Sequence, residues 1–191
     1  MNKYRCLTFQ DLDFKNYTIT PIQEKNMESI RVWRNAQLDV LRQKKHLSIN
    51  DQKHYYATVI RPLFRKKKPS QLLFCFLKEG NCIGYGGIVH INWEDLRGEV
   101  SFLLNTERTK NQKQYTHDFL SFLNLISVVA FDHLKFNRLV TETFEFRTHH
   151  IDILESFGFS KEGELREHVQ IRNNYVSSLL HGLLKKEYNE R

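Results

Sequence analysis

Residues 131–169 read FDHLKFNRLVTETFEFRTHHIDILESFGFSKEGELREHV; a polar break follows, and then YVSSLLHGLLKKEY over 175–188. Physically this is a helix end, a strand over 137–146, a short helix, and two closing strands at about 164–171 and 175–184. Thr148 is placed to cap the short helix. Ile151, Leu154 and Phe157 give it an apolar face, and Gly158 stops it as a C′ residue free to take a positive φ. Asn173-Asn174 marks the turn between the last strands.

Upstream, Phe119, Phe122, Leu123, Ile126, Ala130 and Leu134 recur at helical spacing, so a long helix precedes this block. Three strands come before it: the nearly all-apolar QLLFCFLK (71–78), CIGYGGIVHIN (82–92) after a turn at Gly80-Asn81, and EVSFLLN (99–105). Ser48 and Asp51 are spaced as a capping box for a helix reaching about Arg61, with Tyr55, Val59 and Leu63 near one face. A shorter helix over 24–35 carries Met27, Ile30 and either Val32 or Trp33 on its apolar face, and Trp33 reads as an aromatic at core spacing. YTITPI (17–22) alternates as a strand that Pro21 ends. The order β-α-α-β-β-β-α-β-α-β-β predicts an α+β (mixed α/β) fold, with a mostly antiparallel sheet flanked by helices.

The chain has 191 residues and 40% hydrophobic composition, enough for one buried core, and one domain over 1–191 is expected, with 1–16 as an N-terminal extension. No apolar run approaches bilayer length and the N-terminus carries Asp residues, so a cytoplasmic protein without a membrane partner is expected. Cys6, Cys75 and Cys82 are an odd set without paired spacing and read as reduced thiols. A formal charge of +7 suits an anionic ligand such as a phosphate-bearing coenzyme. The basic runs at 42–45 and 65–68 are short and stand beside no nucleic-acid module, so nucleic acid is not an expected partner. His149-His150 lacks partners at ligand spacing, and no metal is expected.

The element order together with Gly158-Phe159, Glu162-Gly163 and Arg166 resembles the GNAT superfamily of acetyltransferases, from about Tyr17 to Tyr188. Within it Trp33-Arg34-Asn35, Phe102-Leu103-Leu104 and the ending HGLLKKEY look like the subgroup of ribosomal-protein N-terminal acetyltransferases and nucleotide-linked amino-sugar acetyltransferases. The resemblance implies acetyl-CoA as cosubstrate, bound where the sheet splays between the fourth and fifth expected strands, 99–105 and 137–146. It assigns Leu103, Leu104 and Asn105 to the pantetheine through free backbone groups. The pyrophosphate goes to the start of the next helix, over Arg108, Lys110, Asn111, Gln112 and Lys113. Two departures stand out. No glycine lies between Gly98 and Gly158, so the family's glycine-bearing phosphate loop is replaced by cations, with a capping box at Thr109–Gln112 starting a helix near Lys110. In the later helix Arg147, His150 and Leu154 stand where the family places Asn, Ser and often a proton-donating Tyr; Arg147 reaches either the phosphates or solvent.

Amide formation from a thioester needs a neutral amine, a polarised carbonyl and a destination for protons. Glu99, opening the fourth strand, is the candidate base, with a surface ion pair to Arg97 as the alternative; His90 is its rival. Tyr85 and Tyr115 are candidate thiol-protonating groups, or packing residues. Arg34, Asn35, Trp93 and His168 are candidate acceptor contacts. The positive charge favours a small-molecule amine acceptor, such as an amino sugar that can be nucleotide-linked, over a protein N-terminus. A GNAT-fold binding protein without catalysis is the third reading, and a homodimer through the last strands is the expected assembly.

Overall fold

The computed structural model describes residues 2–190. Among these, eight strands form one sheet in the order β1-β2-β3-β4-β5-β6-β8-β7. They are β1 (Leu12–Phe14), β2 (Tyr17–Pro21), β3 (Leu72–Lys78), β4 (Asn81–Asn92), β5 (Arg97–Leu104), β6 (Arg138–Phe144), β7 (Ser160–Ile171) and β8 (Asn174–Leu184). All neighbours run antiparallel save β5 and β6. The expected sheet is therefore present, with one added short strand, β1, from the segment read as an extension. Tyr4 in that segment is fully buried; its hydroxyl donates to the Leu73 carbonyl at 2.9 Å and accepts from the Leu73 amide at 2.8 Å.

The β5–β6 pair sets the site. It holds over three positions, Arg97 opposite Arg138, Gly98 opposite Leu139 and Glu99 opposite Val140. Past Glu99, β5 stays paired to β4 as far as Leu104, and β6 stays paired to β8 as far as Phe144. Each strand follows its outer neighbour, and the sheet forks.

The helices lie at α1 (Met27–Ala36), α2 (Ile49–Tyr55), α3 (Arg61–Leu63), α4 (Thr106–Thr109), α5 (Gln112–Ser127), α6 (Thr148–Ser156) and α7 (Lys185–Asn189). Met27, Ile30 and Trp33 are the buried face of α1. The Ser48–Asp51 capping box forms at α2 as read, with the Asp51 amide donating to Ser48 Oγ. The expected Tyr55–Val59–Leu63 stripe does not. A π-helical stretch, Tyr56–Ile60, joins α2 to α3, and the buried residues there are Gln52, Tyr56, Ile60 and Leu63, leaving Tyr55 and Val59 exposed. A wide π turn passes more residues per revolution and moves the inward face.

Two caps also differ from the sequence reading. Asn111, not Thr109, caps α5: its side chain accepts from the Gln114 amide, while Thr109 Oγ1 donates back to Thr106 within the separate turn α4. Thr148 is already helical in α6, with Arg147 at the cap position. Gly158 does end α6, at φ +105°, where a Cβ would be strained.

One face of the sheet packs on α5 through Phe76, Phe102, Phe119 and Phe122. On the buried face of α5 is a fully buried carboxylate, Asp118. It accepts from Tyr17 at 2.8 Å and from Arg108 Nε and Nη2 at 2.8 and 2.9 Å. Over the opposite face, the β7–β8 hairpin tip is tied to the loop that follows α1. Arg172 pairs with Asp39, and Lys44 Nζ donates to the Gln170 carbonyl at 2.7 Å.

Candidate active site

The fork opens into a cavity of about 740 Å³ between the sheet and the α1–α2 segment. From the sheet come Tyr85, His90, Glu99, Ser101, Thr141 and Glu142; from the helical side come Arg34, Arg42, Gln43, Asp51 and Gln52. Phe119, Arg147 and His150 lie at the other end.

Glu99 sits where the strands part and faces the cavity, its side chain 20% exposed. Its partner is Arg42 at 3.4 Å, not the expected Arg97, which pairs with Asp95. Burial holds the Glu99 carboxyl above the ordinary carboxylate range, and neighbouring Glu142 adds to this, while Arg42 and His90 oppose it. A carboxylate with raised proton affinity suits a general base. His90 lines the same cavity but is exposed, on a β4 bulge with φ +50°. Arg34 donates to the Tyr85 hydroxyl at 2.6 Å and to Gln43 at 2.8 Å. Burial keeps the Tyr85 phenol protonated to higher pH than usual, against the lowering effect of Arg34.

At the far end the Arg147 guanidinium donates to the Tyr115 hydroxyl at 3.2 Å, which also pairs with His150 Nδ1 at 2.8 Å. His150 stacks on Phe119. Burial first, and then the Arg147 charge, hold its imidazole neutral well below the ordinary histidine range. His149 Nε2 reaches Thr116 Oγ1 and the Gln112 carbonyl, joining the starts of α5 and α6 at this end.

Several candidates are placed elsewhere. The Asn105 amide donates to the Ile83 carbonyl at 2.8 Å, and a Cβ built on Gly84 would come within 2.6 Å of the Leu103 carbonyl. The backbone of Leu103 and Asn105 thus faces β4. By antiparallel alternation it is Phe102 and Leu104 that turn toward the fork, where β6 offers no partner strand. The Leu104 carbonyl accepts from Gln37 Nε2 at 2.8 Å. The Asn105 side chain caps α4. Arg108 pairs with the buried Asp118, while Lys110 forms an exposed pair with Glu107 one helical turn away. The Lys113 side chain borders a separate hollow of about 360 Å³ with Lys78 and His117. Asn35 holds the 43–47 loop, donating to the Leu47 carbonyl and accepting from the Gln43 side chain and the Leu47 amide. Trp93 donates to the Pro69 carbonyl and packs edge-on against Phe136, outside the cavity. His168 is 3.7 Å from Glu142 but does not line the cavity.

Arg42 and Glu142 are the site residues that sequence reading passed over. Arg42 lay inside the short basic run 42–45, noted only for standing beside no nucleic-acid module. Glu142 left one signal, a carboxylate in a strand that after Arg138 is otherwise built of Leu, Val, Thr and Phe.

The class of protein that carries this forked mixed sheet is given by comparison with known proteins. A family model described as an acetyltransferase (GNAT) domain matches residues 19–180, so the chain belongs to the GNAT acetyltransferases, enzymes that use acetyl-CoA. No functionally curated protein matches the sequence. Among solved structures, spermidine N-acetyltransferase from Vibrio cholerae in complex with CoA and spermine superposes with TM-score 0.80 at 16% identity, covering 91% of this chain and 98% of that one. A chimera of the Vibrio cholerae enzyme with its human counterpart gives 0.80 at 17%, over 93% and 100%. A dodecameric form of the Vibrio cholerae enzyme gives 0.76 at 16%, over 91% and 96%. At these identities the likeness is one of fold.

Proposed function

We propose that this chain transfers acetyl from acetyl-CoA to the primary amine of a small, hydroxylated molecule of amino-sugar type. The observation that carries the reading is Glu99, held at raised proton affinity where β5 and β6 part and facing a cavity large enough for a small acceptor. Pantetheine amides fit the fork as an added strand against the backbone of Phe102 and Leu104. The first turn of α5 leaves the amides of Gln112 and Lys113 without intrahelical acceptors, which suits pyrophosphate; Arg147 supplies charge at the same end. The missing glycines are thereby compensated by a conventional Asn-capped helix start.

The acceptor binds on the α1–α2 side, where Glu99 takes a proton from its ammonium. The neutral amine attacks the thioester carbonyl: a C–N bond forms, the C–S bond breaks, and the second amine proton leaves with the thiolate. The cavity lining sets Arg34, Arg42 and Arg147 against Asp51, Glu99 and Glu142, with Gln43, Gln52 and Tyr55 between them. Such balanced charge and dense hydrogen-bonding capacity suit a sugar-like amine better than a polycation. The spermidine N-acetyltransferases of like fold make polyamines the comparison class, and N-terminal peptides are a third.

The test measures thiol release from acetyl-CoA over amino sugars, polyamines and peptides, beside a CoA titration. Turnover confined to polyamines or peptides overturns the acceptor assignment. Absence of CoA binding at millimolar concentration overturns the enzymatic reading.

A further inference from the structure

Glu142 and Arg42 have no part in the reaction as set out above, yet they form its nearest charged surroundings. Glu99 and Glu142 stand on the two strands that diverge at the fork, and a single guanidinium nitrogen, Arg42 Nη2, spans them at 3.4 and 2.6 Å. Glu142 is 16% exposed in its side chain, and its Oε1 is buried with no hydrogen-bond partner among the described residues; the ring nitrogen Nε2 of His168, from β7, lies 3.7 Å away. A buried carboxylate oxygen left without a donor is costly, so this one marks a place shaped for a donor that arrives from the cavity. Arg42 comes from the irregular segment after α1 and is half exposed, so it can withdraw to solvent without disturbing a helix or strand.

We propose that Glu142 anchors the acceptor's ammonium through Oε1 beside Glu99, and that Arg42 sets the number of positive charges the site accepts. This rests on the acetyl-transfer reading. Two carboxylates and one guanidinium leave one net negative charge, which matches one ammonium. Removing Arg42 leaves two, which matches a diamine. Glu142 is then a substrate-binding residue and Arg42 a specificity-determining one. The proton still leaves to Glu99, so the two carboxylates divide binding and base catalysis between them.

The test uses n-butylamine and 1,4-diaminobutane, a pair differing by one charged group, titrated calorimetrically into the CoA-saturated full chain, with turnover measured separately. Glu142→Gln should weaken binding of both amines by about 10-fold or more, the scale of one charge-assisted hydrogen bond. Glu142→Asp should recover part of that loss. Arg42→Gln should shift the ratio of dissociation constants toward the diamine by about 10-fold. Unchanged amine affinity in Glu142→Gln, or an unchanged ratio in Arg42→Gln, overturns the proposal. CoA affinity in each variant reports intact folding; should Glu142→Gln fail to bind CoA, the Arg42→Gln ratio decides alone. A wild-type chain that binds these amines as described but never acetylates any amine would defeat the acetyl-transfer reading and leave the ammonium site standing.

Discussion

Asp118 offers the sharpest test of how α4 and α5 are held. Its carboxylate is fully buried and accepts three hydrogen bonds, one from Tyr17 and two from Arg108. Burial pushes the Tyr17 phenol up to about 12, helped by its bond to Asp118. Asp118→Ala strips the acceptor and leaves a guanidinium that is 18% exposed beside an unpaired phenol. Breaking a buried ion pair on one side costs about 3–5 kcal/mol. At roughly 2–4 °C per kcal/mol for a chain of this size, the melting temperature should fall by about 10 °C or more. Arg108→Met alone should also be costly, because it leaves a buried charge with only Tyr17. The double variant Asp118→Leu/Arg108→Met should cost less than the sum of the singles by about 2 kcal/mol, read from urea denaturation at constant m. Additive singles, within about 0.5 kcal/mol, would refute the shared network. The same double variant tests a functional point. Because Arg108 is committed to Asp118, CoA affinity should change by no more than about threefold; a larger loss in a folded double variant would return Arg108 to the phosphates.

Other expectations follow from the geometry. The acid limb of the pH profile of kcat/KM should lie above the ordinary carboxylate range, with the rate rising as Glu99 ionises, and Glu99→Gln should abolish that limb and lower kcat by about 100-fold. His150 is held neutral in the fold, so its contribution is present above the unfolded value near 6.5 and is lost as pH falls below it; His150→Phe should flatten stability in that acid window, measured by urea denaturation across pH. At Gly86 an added Cβ would come within 2.2 Å of the Ser101 carbonyl and 2.7 Å of the Phe122 ring, so Gly86→Ala should destabilise by about 1–3 kcal/mol in thermal melts.

The strands and the helix ends at Ser48 and Gly158 were legible because local chemistry decides them: alternation, a capping side chain, a residue that tolerates positive φ. The fork position was legible through the resemblance. What escaped was anything set by register. Whether Leu103 or Phe102 offers its backbone to the fork depends on which residue of β4 lies opposite, and β4 carries a bulge between Val89 and Asn92 while its pairing with β3 shifts at Phe76/Leu77. Cation roles were equally hidden. Arg108, Lys110 and Lys113 look alike as letters, yet one is claimed by a carboxylate ten residues on, one by a helical neighbour, and one borders a different hollow. Arg42 and Glu142 meet across 100 positions of sequence, beyond any local pattern.

The tie between the hairpin tip and the loop after α1 separates two tasks along the chain. Donor-side elements, the fork and the starts of α5 and α6, are built into the sheet and its core. The loop bearing Arg42 and Gln43 is instead moored at Arg172 and Gln170, at the outer end of β7 where side chains are largely exposed. On the proposed assignment of donor and acceptor sides, substitutions at that outer turn would retune which amine is accepted while leaving the acetyl-donor half in place.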